Sequence, residues 1–136
     1  MKYLAALLLL ISTVSAHAGF AGFLTKETRD WSFIQTVGGM KVTLEDRTLH
    51  VDCDVSGTRK VTVKPTMINS GMAVREVKHK QVGKTIELRL VTSVLEKGLT
   101  TTPKPLDLSG YPAGKYTVVY RDRDGATHPL GSLVLK

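Results

Sequence analysis

Residues 50–55, HVDCDV, concentrate the side chains of this chain that could do chemistry: a histidine, two aspartates and the single cysteine. Imidazole, carboxylate and thiolate groups bind metals, and a thiolate is also a nucleophile. The segment alternates apolar and polar residues, however, which predicts a half-buried strand with His50, Asp52 and Asp54 on its wet face. These three side chains spread over about 13 Å along a strand, so one metal ion could reach all three only at a bulge. We therefore interpret the segment as a strand and keep a metal site as the alternative.

Cys53 lies between Val51 and Val55 on the apolar side of this alternation. As the single cysteine it has no partner for an intramolecular disulfide. A buried cysteine behaves as a small hydrophobic residue. We predict a buried core cysteine, with a reactive or dimerising thiol as the alternative.

The residues after this strand predict a hairpin. A loop centred on Gly57 would lead into a return strand, RKVTVKP, whose Val61 and Val63 face the core. This register places Asp54 opposite Lys60. Only a loop with an odd number of residues brings the apolar residues of one strand opposite the apolar residues of the other.

The motifs of common enzymes are missing from the sequence. It contains no Gly-x-Ser-x-Gly, no His-Glu-x-x-His and no phosphate-binding loop. Its carboxylate pairs, Asp52 with Asp54 and Asp122 with Asp124, belong to exposed strands or turns, and nothing in the pattern indicates a cleft that would raise one pKa. The sequence predicts a non-catalytic protein without a cofactor.

The chain is basic, with a formal net charge of +7. Its most basic region is a predicted hairpin made of MAVREVKHK, QVGK and TIELRLVTSVL, and the cations that we assign to a partner-binding face are Arg75, Lys78, Lys80, Lys84 and Arg89. Lysines on an edge strand discourage aggregation, which is one interpretation. The other is a docking face for an anionic partner.

The first 18 residues, MKYLAALLLLISTVSAHA, have the layout of a cleaved signal peptide: a positive charge, a short apolar run and small residues. Cleavage after Ala18 is favoured, and cleavage after Ala16 would make His17 the new N-terminus. Residues 19–136 form a single predicted domain, periplasmic or secreted, with no transmembrane segment. Export makes nucleic acid an unsuitable partner and favours an acidic protein or an anionic cell-wall component.

Strand patterns dominate the mature chain and predict an all-β fold, a single immunoglobulin-like β-sandwich of about seven antiparallel strands. The first strand is expected to start at Trp31, Phe33 and Ile34, and residues 45–47 are expected to form a turn. Broken alternation near Val74 and Val77 indicates a bulge. The next strand points Ile86, Leu88 and Leu90 inward.

The last third of the chain carries the clearest fold signal. The stretch LSGYPAGKYTVVYRDRDG has an apolar residue, a Pro-x-Gly turn and Tyr116 at the start of a strand, in which Tyr116, Val118 and Tyr120 alternate with Thr117, Val119 and Arg121. It resembles the entry to the penultimate strand of immunoglobulin-like and fibronectin-like domains, in which the tyrosine hydroxyl bonds to nearby backbone. Asp124 and Gly125 predict a hairpin turn, and Pro129 and Gly131 suit an edge or a bulge.

A narrower resemblance involves the same segment. The ending LSGYPAGKYTVVYRDRDGATHPLGSLVL is similar to the end of periplasmic copper-resistance carriers of immunoglobulin-like fold. That resemblance implies a Cu(II) site with His17, His128 and Asp124 as ligands, His17 only if cleavage follows Ala16. Imidazole and amine nitrogens suit Cu(II).

These observations favour a non-catalytic exported binding protein that acts through a protein or cell-wall partner. One alternative is an inhibitor or immunity protein against an exported hydrolase, with the loops at 99–105 and 121–129 as contacts. The other is a periplasmic copper carrier.

Overall fold

The computed structural model describes residues 26–136, which form an all-β domain of two sheets, and the predicted β-sandwich class is confirmed. The predicted signal peptide, both cleavage points and His17 lie outside the described residues. The elements in chain order are β1 (Glu27–Arg29), α1 (Trp31–Thr36), β2 (Lys41–Glu45), β3 (Thr48–Asp52), β4 (Met72–Val82), β5 (Thr85–Val94), β6 (Leu106–Asp107), β7 (Gly114–Arg121) and β8 (Thr127–Leu135). No helix in this part of the chain is long and apolar enough to cross a membrane.

The larger sheet is built around β5. On one side β5 forms a long antiparallel hairpin with β4, closed by the predicted turn at Gly83 and interrupted by the predicted bulge between Val74 and Glu76. On its other side β5 pairs with β1 along its second half and with β7 along its first half. The β5–β7 pair is parallel, which corrects the expectation of antiparallel pairing throughout. The chain crosses to the smaller sheet at β6 between these two strands, so β7 returns in the direction of β5.

The last hairpin, β7–β8, agrees with the sequence pattern. Tyr116 donates its hydroxyl hydrogen to the carbonyl of Pro112 at 2.7 Å, the local bond that was predicted. In the register, Val118 pairs with Gly131 and Val119 with Pro129, so one residue bulges out between them.

The smaller sheet has the order β2-β3-β6 and differs from the prediction in the segment after β3. The predicted return strand RKVTVKP does not form. Instead β3 pairs with β2 along one edge and, at Thr48 and Leu49 only, with the short strand β6 on the other. The segment after β3 is irregular, and the amides of Val61, Thr62 and Val63 bond to the carbonyl of Gly38.

The expected pairing of Asp54 with Lys60 is therefore wrong. Asp54 accepts hydrogen bonds from the hydroxyl and amide of Ser56, and Asp52 pairs with Arg59 and Lys41. His50 lies opposite Thr43 on β2, with its ring 3.3 Å from the carboxylate of Glu45.

A further correction concerns the start of the domain. Trp31 and Phe33 belong to α1 and not to a first strand, which is β1. The helical spacing of Trp31, Ile34 and Val37 brings one face of this segment onto the core, whereas strand alternation would have turned Ile34 outward. Gly38 and Gly39 follow with left-handed φ angles of 117° and 87° and end the helix.

The core fills the space between the two sheets. It contains the residues that the alternation of β3, β5 and β7 placed inward, among them Leu49, Cys53, Leu88, Tyr116 and Tyr120. The sandwich therefore presents the outer face of β4, β5 and β7 to solvent as a continuous surface.

Candidate functional site

The hairpin of β4 and β5 carries a row of cations on its outer face. Lys78 lies directly opposite Arg89 in the antiparallel register, and Lys80 lies opposite Glu87. The alternate positions, Val77, Ile86, Leu88 and Leu90, are buried in the core. Period-two geometry therefore aims the cations of this hairpin away from the core, onto one surface.

A concavity of about 440 Å³ opens on this surface. We call it the basic concavity, and it is lined by Lys78, His79, Lys80, Glu87, Arg89 and Arg121. Four permanent cations thus surround a single carboxylate. Within residues 26–136 no carboxylate oxygen lies within ion-pair distance of Lys78, Lys80 or Arg89, whereas Arg121 is paired with Glu87. The lining residues therefore carry a surplus of positive charge, and the charge of Arg89 also helps to lower the pKa of Asp30.

Glu87 and Arg121 were not among the residues predicted for this face. The guanidinium of Arg121 donates to Oε1 of Glu87 at 3.1 Å, and only 13% of the Glu87 side chain is exposed. The Nε atom of Arg121 is buried and has no hydrogen-bond partner among the described residues. The alternation of β7 indicated that Arg121 points outward, but only the parallel β5–β7 pairing places it beside Arg89.

Two of the predicted residues lie elsewhere. Arg75 lies at the bulge of β4, where its guanidinium is 3.5 Å from the carboxylate of Glu96. Lys84 lies in the turn before β5, with its Nζ atom 5.4 Å from the ring centre of Tyr116. The structure thus brings together Lys78, Lys80 and Arg89 from the predicted face and leaves Arg75 and Lys84 outside the concavity.

A second polar cluster joins α1 to the β7–β8 hairpin. The carboxylate of Asp122 accepts a hydrogen bond from the amide of Trp31 at 2.7 Å, and its other oxygen lies 2.8 Å from Nε2 of His128. The His128 ring stacks on Trp31 with 5.3 Å between ring centres. Next to this cluster Asp30 pairs with Arg123, and hydrogen bonds from Arg123 lower the pKa of Asp30. This arrangement fixes the start of the domain against its last hairpin.

This cluster bears on the copper alternative. The carboxylate that contacts His128 belongs to Asp122. The carboxylate of Asp124 instead accepts a hydrogen bond from the amide of Ala126 within the turn. No three histidine, cysteine, aspartate or glutamate side chains within residues 26–136 are grouped closely enough to hold a metal. The copper site of the resemblance thus depends on His17, and it stays a prediction.

The loops predicted for an inhibitor lie on opposite sides of β5. Residues 99–105 are joined to β4, where Thr100 pairs with Val74. Residues 121–129 contact Asp30 and Trp31 beside β1. They therefore do not form one contiguous contact around the central strand.

Cys53 is fully buried in the core. Burial, with smaller contributions from Asp54 and Asp52, raises the pKa of its thiol to about 12. Because the thiolate is the reactive form, we expect no measurable reaction of the native protein with a chromogenic disulfide reagent at pH 8 over an hour. One equivalent of thiol should react at once in urea. Rapid reaction of the native protein would contradict the burial of this thiol.

No family model, no curated protein and no solved structure matches this chain.

Proposed function

We propose that this chain is a non-catalytic binding protein, exported to the periplasm or beyond, that holds an anionic protein or cell-wall partner through the basic concavity. The observation that carries the proposal is the pairing of Lys78 directly opposite Arg89, beside Lys80, without a carboxylate within ion-pair distance in the described chain. Like charges opposite each other on neighbouring strands destabilise a sheet. A negatively charged partner that neutralises Lys78 and Arg89 would explain why the two cations lie side by side in the basic concavity.

Export is supported by the signal-peptide pattern of residues 1–18. The binding role is supported by the chemistry of the site, since arginine and lysine side chains around a concave surface attract and orient anions. An immunoglobulin-like sandwich, as the resemblance of the last third implies, is a frequent scaffold for such surfaces, although a fold by itself assigns no function.

A double charge reversal tests this proposal. We expect Lys78→Glu/Arg89→Glu to weaken binding of immobilised poly-glutamate, a defined acidic probe, at least 10-fold in surface plasmon resonance. Binding by the wild-type protein should also fall steeply between about 50 and 200 mM salt, because exposed charges are screened within about 10 Å.

The matched control is Lys60→Glu/Lys64→Glu, which reverses the same number of charges on exposed positions of the irregular segment after β3. Its affinity for poly-glutamate should stay within 3-fold of that of the wild-type protein. If both double variants lose the same affinity for poly-glutamate, binding depends on the net charge of the protein and not on the basic concavity. That result would refute the proposal.

The natural partner can be sought by affinity capture with the purified mature protein, followed by mass spectrometry and elemental analysis of the same sample. A partner whose capture survives Lys78→Glu/Arg89→Glu does not use this site. A stoichiometric hydrolase bound by that variant would favour the inhibitor alternative. One equivalent of copper that is lost on His128→Ala would favour the carrier.

A further inference from the structure

We infer that the group bound in the basic concavity is a phosphate, carried as a phosphate ester or phosphodiester. This inference rests on the proposed function and specifies the chemistry of its ligand. The argument compares a phosphate with a carboxylate, the other common anion of proteins and cell-wall polymers.

The charge of the site favours phosphate. Lys78, Lys80 and Arg89 have no carboxylate within ion-pair distance in the described chain, and Arg121 shares its charge with Glu87. The lining residues therefore carry three more positive than negative charges. A carboxylate or a phosphodiester would neutralise one of these charges, whereas a phosphate monoester carries about 1.5 to 2 negative charges at neutral pH. The charge of the site therefore favours the monoester.

The directions of the donors favour phosphate as well. Lys78 and Lys80 approach the concavity from β4, Arg89 from β5 and Arg121 from β7. A carboxylate is planar and is matched by the two parallel N–H groups of one arginine. A tetrahedral phosphate has acceptor oxygens in several directions, so it can accept hydrogen bonds from donors on three neighbouring strands.

Glu87 and Arg121 complete the site. The hydrogen bond from Arg121 to Glu87 holds one edge of the guanidinium, and the buried Nε on the other part of the group has no partner. A buried donor without a hydrogen bond is unfavourable. Because this Nε is buried, a phosphate oxygen reaches it only if Arg121 moves, and such a movement would give the donor a partner.

The volume of the concavity is compatible with this ligand. About 440 Å³ lies within the range of small-molecule sites, and it accommodates a phosphate together with part of the group that it esterifies. The surface is open, so the remainder of a larger phosphate-bearing molecule can extend into solvent.

The test is isothermal titration at constant ionic strength with glycerol 1-phosphate, inorganic pyrophosphate and citrate, together with sedimentation of vesicles that contain phosphatidylglycerol. Citrate carries comparable negative charge on carboxylates. We expect a phosphate probe to bind at least 10-fold more tightly than citrate. Lys78→Gln and Arg89→Gln should each weaken this binding at least 5-fold.

The matched control is Lys115→Gln, which removes an exposed lysine of β7 that does not line the concavity. It should leave the affinity for the phosphate probes within 2-fold of the wild-type value. Thermal melts of all three variants establish that each one folds.

The soluble probes and the vesicles distinguish a soluble phosphate ester from a lipid phosphodiester as the ligand. Tighter binding of glycerol 1-phosphate or pyrophosphate than of citrate supports the inference for soluble phosphate esters. Vesicle binding that is lost in Arg89→Gln supports it for a lipid phosphodiester. If citrate binds as tightly as the phosphate probes, or if only poly-glutamate binds, the phosphate inference is overturned while the proposed anion-binding function survives. If neither poly-glutamate nor phosphate binds, both fail.

Discussion

Replacing Gly57 with alanine is expected to lower the free energy of unfolding by about 3 kcal/mol or more. Gly57 has a φ of +70°, which side chains with a Cβ atom rarely adopt. An added Cβ would also overlap the carbonyl oxygen of Met67 and lie 2.9 Å from its carbonyl carbon. These are backbone atoms, so no change of side-chain conformation relieves the overlap.

The chain around Gly57 cannot move away easily. The amide of Asn69 donates to the carbonyl of Ser56 at 2.8 Å, and the Asn69 side chain donates to the carbonyl of Val55 at 3.0 Å. Separating the two segments would break these bonds next to the buried side chain of Val55. The substitution therefore has to distort either the turn or the edge of the core.

Gly71 offers a matched control. Its φ is +85°, and a Cβ at this position would meet no atom within 4 Å. Gly71→Ala should lower the free energy of unfolding by only about 1 kcal/mol, which is the cost of the left-handed φ without an added steric overlap. Urea unfolding followed by circular dichroism measures both variants. Equal losses for Gly57→Ala and Gly71→Ala would show that the close approach to Met67 contributes nothing.

The second large effect is expected for Tyr120→Phe, which should lower the free energy of unfolding by about 2–3 kcal/mol. The Tyr120 hydroxyl accepts a hydrogen bond from the amide of Leu90 at 2.9 Å and donates to the carbonyl of Arg29. Burial raises the pKa of Tyr120 to about 12, so the hydroxyl keeps the proton that it donates. The residue joins β1, β5 and β7 where these three strands meet.

Removing this hydroxyl leaves two backbone groups without their partner in a buried place. Tyr116→Phe is the natural comparison, because Tyr116 is also buried but bonds mainly to the carbonyl of Pro112 four residues away. We expect Tyr116→Phe to lower the free energy of unfolding by about 1 kcal/mol. Chemical denaturation of both variants checks the order. A smaller loss for Tyr120→Phe than for Tyr116→Phe would refute the structural role assigned to the three-strand junction.

Local patterns in the sequence were sufficient for much of the fold. Strict alternation predicted which side of β3, β5 and β7 is buried, and Cys53, Leu88 and Tyr116 are in the core as expected. Turn residues marked the ends of the two long hairpins, and broken alternation located the bulge of β4. These features depend on residues that are neighbours along the chain, so a single sequence contains the information.

The wrong predictions of the return strand and of the first strand have a common origin. Gly57 indicated a turn, but its left-handed conformation serves a close approach to Met67 and not a hairpin. RKVTVKP does not return along β3, because the amides of residues 61–63 bond instead to the carbonyl of Gly38, a partner that the local pattern does not reveal. Trp31 and Phe33 could alternate as a strand, but packing Ile34 and Val37 into the core requires a helix.

The candidate site divides in the same way. The sequence alone placed a concentration of cations on this hairpin and assigned Arg75, Lys78, Lys80, Lys84 and Arg89 to one partner-binding face. Only the tertiary structure decided that Arg121 and Glu87 complete a concavity there and that Arg75 and Lys84 lie outside it. The physical reason is the parallel pairing of β5 with β7, a contact between strands separated by a crossover, which local periodicity cannot specify.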